Sequence, residues 1–280
     1  MSDVNLTARL LLPWCRARLE QRRGPAASHR AWVLGLNGPQ GCGKSTTAAA
    51  LVVAAQAEGW RAVCVSIDDF YLTHDEQQAV ANAHPANPYL QYRGYPGTHD
   101  VDLGARVIDA LASCVEGSVV LLPVYDKSAH QARGDRAPAS RWRRATGPFD
   151  MVIVEGWMLG FVPVDEASLE PDLRAPNRYL ARYGAWHERL DALVHLSVDS
   201  LATIVEWRVE SERARRLRGE TALSDEDAAD YIHRFLPAYR IFVPALQARP
   251  PCADFLGLAL ARSRDPASTQ LLPGYGTAAV

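Results

Sequence analysis

The strongest chemical signal in the chain is the glycine-rich segment GPQGCGKS at positions 38–45. It fits the spacing G-x-x-x-x-G-K-[ST], in which glycines allow backbone N–H groups to surround phosphate oxygens. In that pattern Lys44 reaches the outer phosphates, and the hydroxyl of Ser45 binds Mg²⁺. A strand-like run precedes the segment and a helix-like run follows it, so the start of a helix would also face the anion. The alternative, an ordinary glycine-rich turn, explains neither Lys44 nor Ser45.

This segment predicts a nucleotide site that works with Mg²⁺. ATP is the favoured nucleotide because the guanine-reading pattern N-K-x-D is absent from the sequence. The residues predicted to surround the phosphates are Gly38, Pro39, Gln40, Gly41, Cys42, Gly43, Lys44, Ser45 and Thr46.

Carboxylates follow two other strand-like runs. Asp68 and Asp69 come directly after AVCVSI, and Glu155 comes after MVIV. The carboxyl ends of parallel strands share one edge of a sheet, where ligands bind. A charge at the end of a buried strand is costly unless it is paired or bound to a metal. We therefore predict that Ser45, Asp68 and Glu155 complete or orient the Mg²⁺ shell. The alternative for Glu155 is a solvated strand end, and the alternative for Asp68 and Asp69 is an Asp-rich turn.

A basic segment, PVYDKSAHQARGDRAP at positions 123–138, places three cations beside a Tyr-Asp pair. Lys127, Arg133 and Arg136 offer charge-assisted hydrogen bonds to a small anionic substrate, with Tyr125 beside them. A solvated loop is the alternative. The downstream Arg141, Arg143 and Arg144 are interpreted as exposed charge.

A second candidate wall of the substrate site lies in RGYPGTHD, at positions 93–100. It contains Arg93, His99 and Asp100. The alternative for the last two is structural: His99 would neighbour a helix start, and Asp100 would cap the helix that follows.

A helix-like stretch from Ile204 to Leu217 carries several arginines. Arg208 and either Arg215 or Arg216 lie about two turns apart and so share a face of this helix. Ion pairing along the helix, such as Arg208 with Glu212 at i to i+4, is one interpretation of these charges. A hinge containing Gly219 is predicted next, followed by a helix that Ser224 caps and that stops at Pro237.

The elements around these motifs alternate between strand and helix. Strand-like runs occur at 31–37, 62–67, 119–125, 151–154, 193–198 and 255–261, whereas 131–147 has the composition of a long irregular loop. Alternation of this kind predicts an α/β fold with a mostly parallel sheet covered on both faces.

Composition narrows the function classes. With 280 residues, 48% hydrophobic, the chain suits one large domain. Its net charge of −2 predicts no general attraction to nucleic acid or to an anionic membrane. The five scattered cysteines indicate reduced thiols in the cytoplasm. The N-terminus does not resemble a signal peptide, and the apolar run around Glu155 does not resemble a membrane span. No feature of the sequence indicates an oligomeric state.

Taken together, the motifs resemble those of the D-glycerate 3-kinase family. The resemblance extends from about residue 32 to residue 244 and is carried by GPQGCGKS, SIDDFYLT, RGYPGTHD, YDKSA followed by RGDRA, EGWMLGF and LSDEDAADYIHRFLPAY. The chain resembles uridine kinases, phosphoribulokinases and bacterial pantothenate kinases more distantly. The tail ALARSRDPAST departs from the family pattern, so the adenine contacts are not assigned.

The resemblance implies a P-loop NTPase fold, a three-layer αβα sandwich with five strands in the order 2-3-1-4-5. The single domain, 1–280, would include a substrate-binding insertion at about 86–147 and a helical lid at about 204–223. Asp68 would be the general base, Glu155 a metal partner, and Lys44, Arg208 and Arg216 would neutralise the transferring phosphate.

The implied reaction is ATP-dependent phosphorylation of D-glycerate to 3-phosphoglycerate. The rival interpretations are a kinase for uridine, pantothenate or a sugar derivative, and a regulatory ATPase without a small-molecule acceptor.

Overall fold

The structure, a computed structural model, describes residues 5–22, 30–267 and 272–273. The helices are α1 (Leu6–Gln21), α2 (Lys44–Ala57), α3 (His74–Ala83), α4 (Val101–Ala112), α5 (Ala129–Ala132), α6 (Pro171–Leu180), α7 (Gly184–His187), α8 (Leu201–Leu217), α9 (Asp225–His233) and α10 (Leu236–Ala248). The strands are β1 (Trp32–Asn37), β2 (Ala62–Ser66), β3 (Val119–Leu122), β4 (Tyr125–Asp126), β5 (Asp135–Arg136), β6 (Arg143–Thr146), β7 (Met151–Gly156), β8 (Ala192–Ser197), β9 (Asp254–Ala259) and β10 (Leu272–Pro273).

A six-stranded sheet forms the centre of the fold, in the order β10-β9-β8-β1-β7-β2. The strands from β9 to β2 are parallel, and counted along the chain they lie in the order 2-3-1-4-5. The sheet differs from the prediction in its sixth strand, β10, which pairs antiparallel with β9 at the edge. The predicted class, a mostly parallel sheet with helices on both faces, is confirmed.

The central strands are buried on both faces, which explains their continuous apolar sequences. Every residue of β1 and β7 is buried. One face packs against α1 and α2, and the other against a larger cluster that includes α4 and α10. Burial on both faces is typical of parallel sheets, whose crossover helices cover them.

The predicted strand at 119–125 does not join this sheet, and the segment 131–147 is not irregular throughout. β3 pairs antiparallel with β6, and β4 pairs antiparallel with β5, so the two segments form two short ribbons. The period-2 signal was weak because β3 and β6 are largely exposed. These ribbons place Tyr125 opposite Arg136.

The C-terminal helices follow the predicted caps in part. The side chain of Ser224 accepts a hydrogen bond from the backbone N–H of Asp227, as expected for the start of α9. The helix ends at His233, however, rather than at Pro237, because Pro237 lies in the first turn of α10, where its missing N–H is tolerated. Among the described helices, none combines the length and apolar character needed to cross a bilayer.

Candidate active site

The phosphate loop runs from the end of β1 to the first residue of α2. Gly41 and Gly43 have φ angles of 80° and 89°, in the left-handed region that glycine adopts without strain. At Gly38 a Cβ atom would lie 2.9 Å from the Cβ of Leu196, so this glycine is required for close packing. The loop therefore needs its glycines for two reasons, backbone conformation and space.

Contacts from distant parts of the chain hold this loop in place. The backbone N–H of Gln40 donates to the hydroxyl of Tyr239 over 3.0 Å, and that hydroxyl also contacts the side-chain oxygen of Gln40. Arg264 donates from Nε to the carbonyl of Gly41 over 2.7 Å. Sequence reasoning missed both anchors, since Tyr239 and Arg264 lie about 200 positions away in the chain and follow no local motif.

The candidate metal ligands meet where β1, β2 and β7 end. Ser45 donates from its hydroxyl to a carboxylate oxygen of Glu155 over 2.9 Å. Glu155 is 5% exposed and lies on β7 opposite Leu36 and Ser66. The hydroxyl and carboxylate oxygens are hard ligands of the type that Mg²⁺ prefers. No cluster of three or more His, Cys, Asp or Glu ligands occurs in the described ranges, so a Mg²⁺ ion here would depend on phosphate oxygens as well.

Asp68 and Lys127 form an ion pair across the cleft. The ammonium nitrogen of Lys127 lies 2.6 Å from a carboxylate oxygen of Asp68, which is 30% exposed in its side chain. Burial raises the pKa of Asp68, but the charge of Lys127, assisted by His99 and the hydroxyl of Tyr71, outweighs it and lowers the pKa to about 2. The carboxylate is therefore ionised at neutral pH.

Asp69 has different surroundings from its neighbour. Burial raises its pKa, and the opposing charge is Arg143, whose guanidinium lies 3.2 Å away. Arg143 is 54% exposed, as interpreted from the sequence, but it is also paired.

These groups line a single cleft with a volume of about 340 Å³. It brings together seven of the predicted site residues with four that sequence reasoning did not assign to a ligand. The predicted members are Gln40, Lys44, Ser45, Asp68, Tyr125, Lys127 and Glu155, and the others are Ser66, Asp69, Gly156 and Trp157. The signal for Trp157 was its place two residues after the strand-end Glu155.

His99 and Asp100 lie behind the cleft and do not line it. The Nδ1 atom of His99 lies 2.8 Å from the hydroxyl of Tyr183, and its ring stacks on Tyr71 with centroids 4.3 Å apart. Burial lowers the pKa of His99 to about 3. Asp100 caps α4 by accepting from the N–H of Leu103 over 2.9 Å. The structure therefore shows the contacts expected from the structural alternative.

The predicted substrate arginines are also engaged by protein groups. Arg136 donates to the carbonyl of Tyr71 over 2.9 Å, and Arg93 donates to the carbonyl of Ala132 over 2.9 Å while lying 5.5 Å from the ring centre of Tyr125. Both brace the β4–β5 ribbon. The guanidinium of Arg133 lies 5.1 Å from the ring centre of Tyr92, outside the lining of the cleft.

The two arginines predicted for a lid are already paired with carboxylates, Arg208 within α8 and Arg216 across to α9. Arg208 lies 2.5 Å from Glu212, the i to i+4 pair that the sequence offered as an alternative, and Arg216 contacts the carboxylate of Asp225. The side of α8 that faces the phosphate loop instead contributes Glu210, Ser211 and Ala214 to a second opening, of about 530 Å³, together with Arg264.

A phosphate loop between β1 and α2, with carboxylates at the ends of β7, the strand beside β1, and of β2, the strand beyond it, defines a protein of the P-loop kinase class. No family model matches the chain. Relatives do: an uncharacterized kinase of Schizosaccharomyces pombe is 36% identical over 251 residues, which cover 83% of this chain and 90% of that protein.

The chloroplastic D-glycerate 3-kinase of Arabidopsis thaliana is 38% identical over 224 residues, 78% of this chain. The match spans about half of that protein, 49%. The solved structure of a D-glycerate 3-kinase from Cryptococcus neoformans superposes with a TM-score of 0.84 at 26% identity, covering 95% of this chain and 99% of the other. The chain belongs to the D-glycerate 3-kinase family.

Proposed function

We propose that the protein is an ATP-dependent kinase that phosphorylates the 3-hydroxyl of D-glycerate and releases 3-phosphoglycerate and ADP. The observation that carries this proposal is the pairing of Lys127 with Asp68 in the cleft that also contains Lys44 of the phosphate loop. A cation and a carboxylate at this position suit an acceptor that has both an acid group and a hydroxyl. The names of the plant and fungal relatives support the same acceptor.

The phosphate loop would bind the triphosphate of ATP. Its N–H groups and the start of α2 offer positive ends of backbone dipoles, and Lys44 adds a full charge. The Nζ atom of Lys44 now donates to the carbonyl of Pro39 over 3.0 Å, a neutral partner that a phosphate oxygen can replace. Phosphoryl transfer requires mainly positioning and charge neutralisation, and this loop supplies both.

We propose that Ser45, Glu155 and Asp68 hold or orient Mg²⁺. When bound, the ion neutralises negative charge on the phosphate oxygens. The contact between Ser45 and Glu155 keeps both oxygens directed toward the same point at the sheet edge, where β1 and β7 end.

When the acceptor binds, its carboxylate would replace Asp68 as the partner of Lys127. The carboxylate of glycerate would bind the ammonium of Lys127, which is 59% exposed in its side chain and free to turn toward the cleft. Asp68 would then face the 3-hydroxyl and accept its proton. Tyr125 would contact the acceptor directly, whereas Arg93 and Arg136 would hold its ribbon, and His99 and Asp100 would support Asp68 from behind.

We further propose that residues 204–223 act as a lid. Arg208 and Arg216 would exchange Glu212 and Asp225 for phosphate oxygens when ATP binds, and closure would exclude water. The domain is proposed to include the whole of 1–280, of which 1–4, 23–29, 268–271 and 274–280 lie outside the described residues. We place the reaction in the cytoplasm because none of the five cysteines is paired and all are thiols.

The first test is ADP release with Mg-ATP and a panel of acceptors: D-glycerate, L-glycerate, uridine, pantothenate, ribulose 5-phosphate and none. We expect strong stimulation by D-glycerate alone, with a phosphorylated acid as the product. Stimulation by another acceptor, or ADP release that needs no acceptor, would remove the assignment of D-glycerate and leave the nucleotide site in place.

The second test separates the two adjacent aspartates. Asp68→Asn should lower kcat by roughly 10²–10⁴-fold, the usual contribution of a general base, with the Kd for ATP nearly unchanged. Asp69→Asn, which breaks the contact with Arg143, should cause a much smaller loss. The reverse ranking would assign the base to Asp69, and normal turnover in Asp68→Asn would refute the role of Asp68.

A further inference from the structure

A further cavity lies beside the phosphate loop, between the end of β8, the start of α8 and one side of α10. Its volume is about 220 Å³, and none of its lining residues lines the catalytic cleft or the opening beside α8. Its walls are mainly apolar and include Pro39, Leu196, Val198, Leu201, Ile204 and Val243. A cavity of this kind accepts the hydrocarbon body of a small molecule.

His195 belongs to the lining of the cavity, and its Nε2 atom is a hydrogen-bond acceptor. The amide nitrogen of Asn37 donates to the carbonyls of Trp157 and Leu159, over 3.1 and 2.7 Å, so its oxygen faces Nδ1 of His195 at 2.6 Å. Nδ1 therefore carries the hydrogen. Burial lowers the pKa of His195 to about 4, so the ring is neutral and Nε2 has a lone pair.

This nitrogen has no partner among the described residues. Nε2 of His195 is buried, and the residue as a whole is 2% exposed. A buried polar atom without a hydrogen bond is costly, and a ligand that offers an O–H or N–H group would remove that cost. Asn37 and His195 both belong to the lining.

The outer end of the cavity is polar and includes a cation. Arg240 and Gln247, both exposed residues of α10, complete the lining there. An arginine guanidinium suits a carboxylate or a phosphate. The lining thus combines a buried residue with a hydrogen-bond acceptor, apolar walls and an exposed positive charge.

Two lining residues connect this cavity to the nucleotide site. Pro39 offers its carbonyl to Lys44, and Tyr239 holds the N–H of Gln40 through its hydroxyl. An occupant would therefore touch both groups that fix the phosphate loop from this direction.

We propose that this cavity is a regulatory site for a small amphipathic organic anion. The ligand class is defined by a hydroxyl or amino donor for His195, a ring or branched hydrocarbon body, and a carboxylate or phosphate for Arg240. Its binding favours the conformation of the phosphate loop that accepts ATP. This site goes beyond the proposed function and does not depend on the identity of the acceptor.

The experiment uses 4-hydroxyphenylacetate as the probe and the full chain in isothermal titration calorimetry. We expect saturable binding of one probe per chain. Phenylacetate, which lacks the hydroxyl donor, should bind roughly tenfold more weakly because Nε2 of His195 then stays without a partner. Equal affinities for the two probes, or no binding of either, would overturn the proposal.

Variants of α10 test whether the probe binds in the cavity. Val243→Phe fills the space and should abolish probe binding, whereas Arg240→Ala should weaken it roughly tenfold. Arg249→Ala removes an exposed arginine at the end of the same helix, outside the lining, and should leave the probe affinity unchanged. Unchanged affinity in Val243→Phe would place the probe elsewhere and overturn the proposal.

The regulatory part is tested by linkage. The Kd for Mg-ATP should fall several-fold at saturating probe, and the probe's Kd should fall by the same factor at saturating Mg-ATP, as reciprocity requires. Displacement of the probe by ATP, or no mutual effect, would overturn the regulatory role. These readouts need no turnover, so they are independent of the glycerate assay.

Discussion

Two adjacent aspartates at the end of β2 illustrate how much a single side chain depends on its partner. Asp68 has a lowered pKa and faces Lys127, whereas Asp69 has a raised pKa and faces Arg143. The sequence alone does not distinguish the two residues, because both directly follow the same strand-like run. The ribbons of the insertion decide the difference, because they bring one lysine and one arginine to the strand end.

The role of Lys127 gives a prediction for acceptor binding. Lys127→Met should raise the KM for D-glycerate roughly tenfold or more, because a charge-assisted hydrogen bond to its carboxylate is lost. The Kd for ATP should change much less, since the phosphates have Lys44. Steady-state kinetics with each substrate varied in turn would measure both.

Arg144→Met is the matched control, because Arg144 is an exposed cation on β6 that does not line the cleft. An equal rise in KM for both variants would show a general effect of charge on the acceptor and would contradict a direct contact by Lys127.

At the scale of elements, α8 and α9 form a unit whose arginines are already paired. Glu212 is 1% exposed and lies 2.5 Å from Arg208 and 3.4 Å from Arg215, while it also accepts from the N–H of Leu223. Arg208 and Arg216 can therefore reach a nucleotide only if the unit rearranges. The turn between the helices contains Gly219, with a φ angle of 76°, which is where such a movement would be absorbed.

Gly219→Ala tests this turn. No atom lies within 4 Å of the added Cβ, so the variant introduces backbone strain alone, at a cost of about 1 kcal/mol in the free energy of unfolding. If the turn moves in the reaction, kcat should also change, by several-fold. Chemical unfolding and turnover would be measured on the same preparation.

Gly59→Ala is the control for strain, since Gly59 follows α2 with a φ angle of 82° and also has no atom within 4 Å of an added Cβ. It should lose similar stability and retain kcat. A proportional loss of kcat in both variants would show that general destabilisation, rather than movement of the turn at Gly219, explains the effect.

The sequence predicted what is encoded locally at this scale. The phosphate loop, the strand-end Asp68 and Glu155, and the cap at Ser224 all depend on neighbours within a few positions, so spacing reveals them. Tyr239 and Arg264 contact the loop from 199 and 223 positions away, and no spacing rule connects them to it. The ribbons were predicted poorly for a related reason, because they are exposed and have little apolar periodicity.

For the molecule as a whole, stability in mild acid depends on histidines that are buried and neutral. His187 is 5% exposed and accepts a hydrogen bond at Nε2 from the N–H of Gly160 over 2.9 Å. Burial lowers its pKa from 6.5 to about 4. The unfolded chain therefore binds one more proton between these pH values, and stability falls as the pH decreases through 6.5 and levels off below about 4. His99 and His195 act in the same direction.

His187→Gln should remove the part of this pH dependence that is due to His187. Between pH 7.5 and 5.0, His187 lowers the free energy of unfolding by about 2 kcal/mol, because proton binding to one histidine of the unfolded chain changes it by about 1.4 kcal/mol per pH unit below 6.5. This range lies above the normal pKa values of carboxylates, so histidines dominate it. Urea unfolding at both pH values should show a smaller loss of stability for His187→Gln than for the wild type.

His233→Gln, on the exposed side of α9, is the control and should lose as much stability between the two pH values as the wild type. An identical pH dependence in all three proteins would show that His187 is not held neutral by the fold.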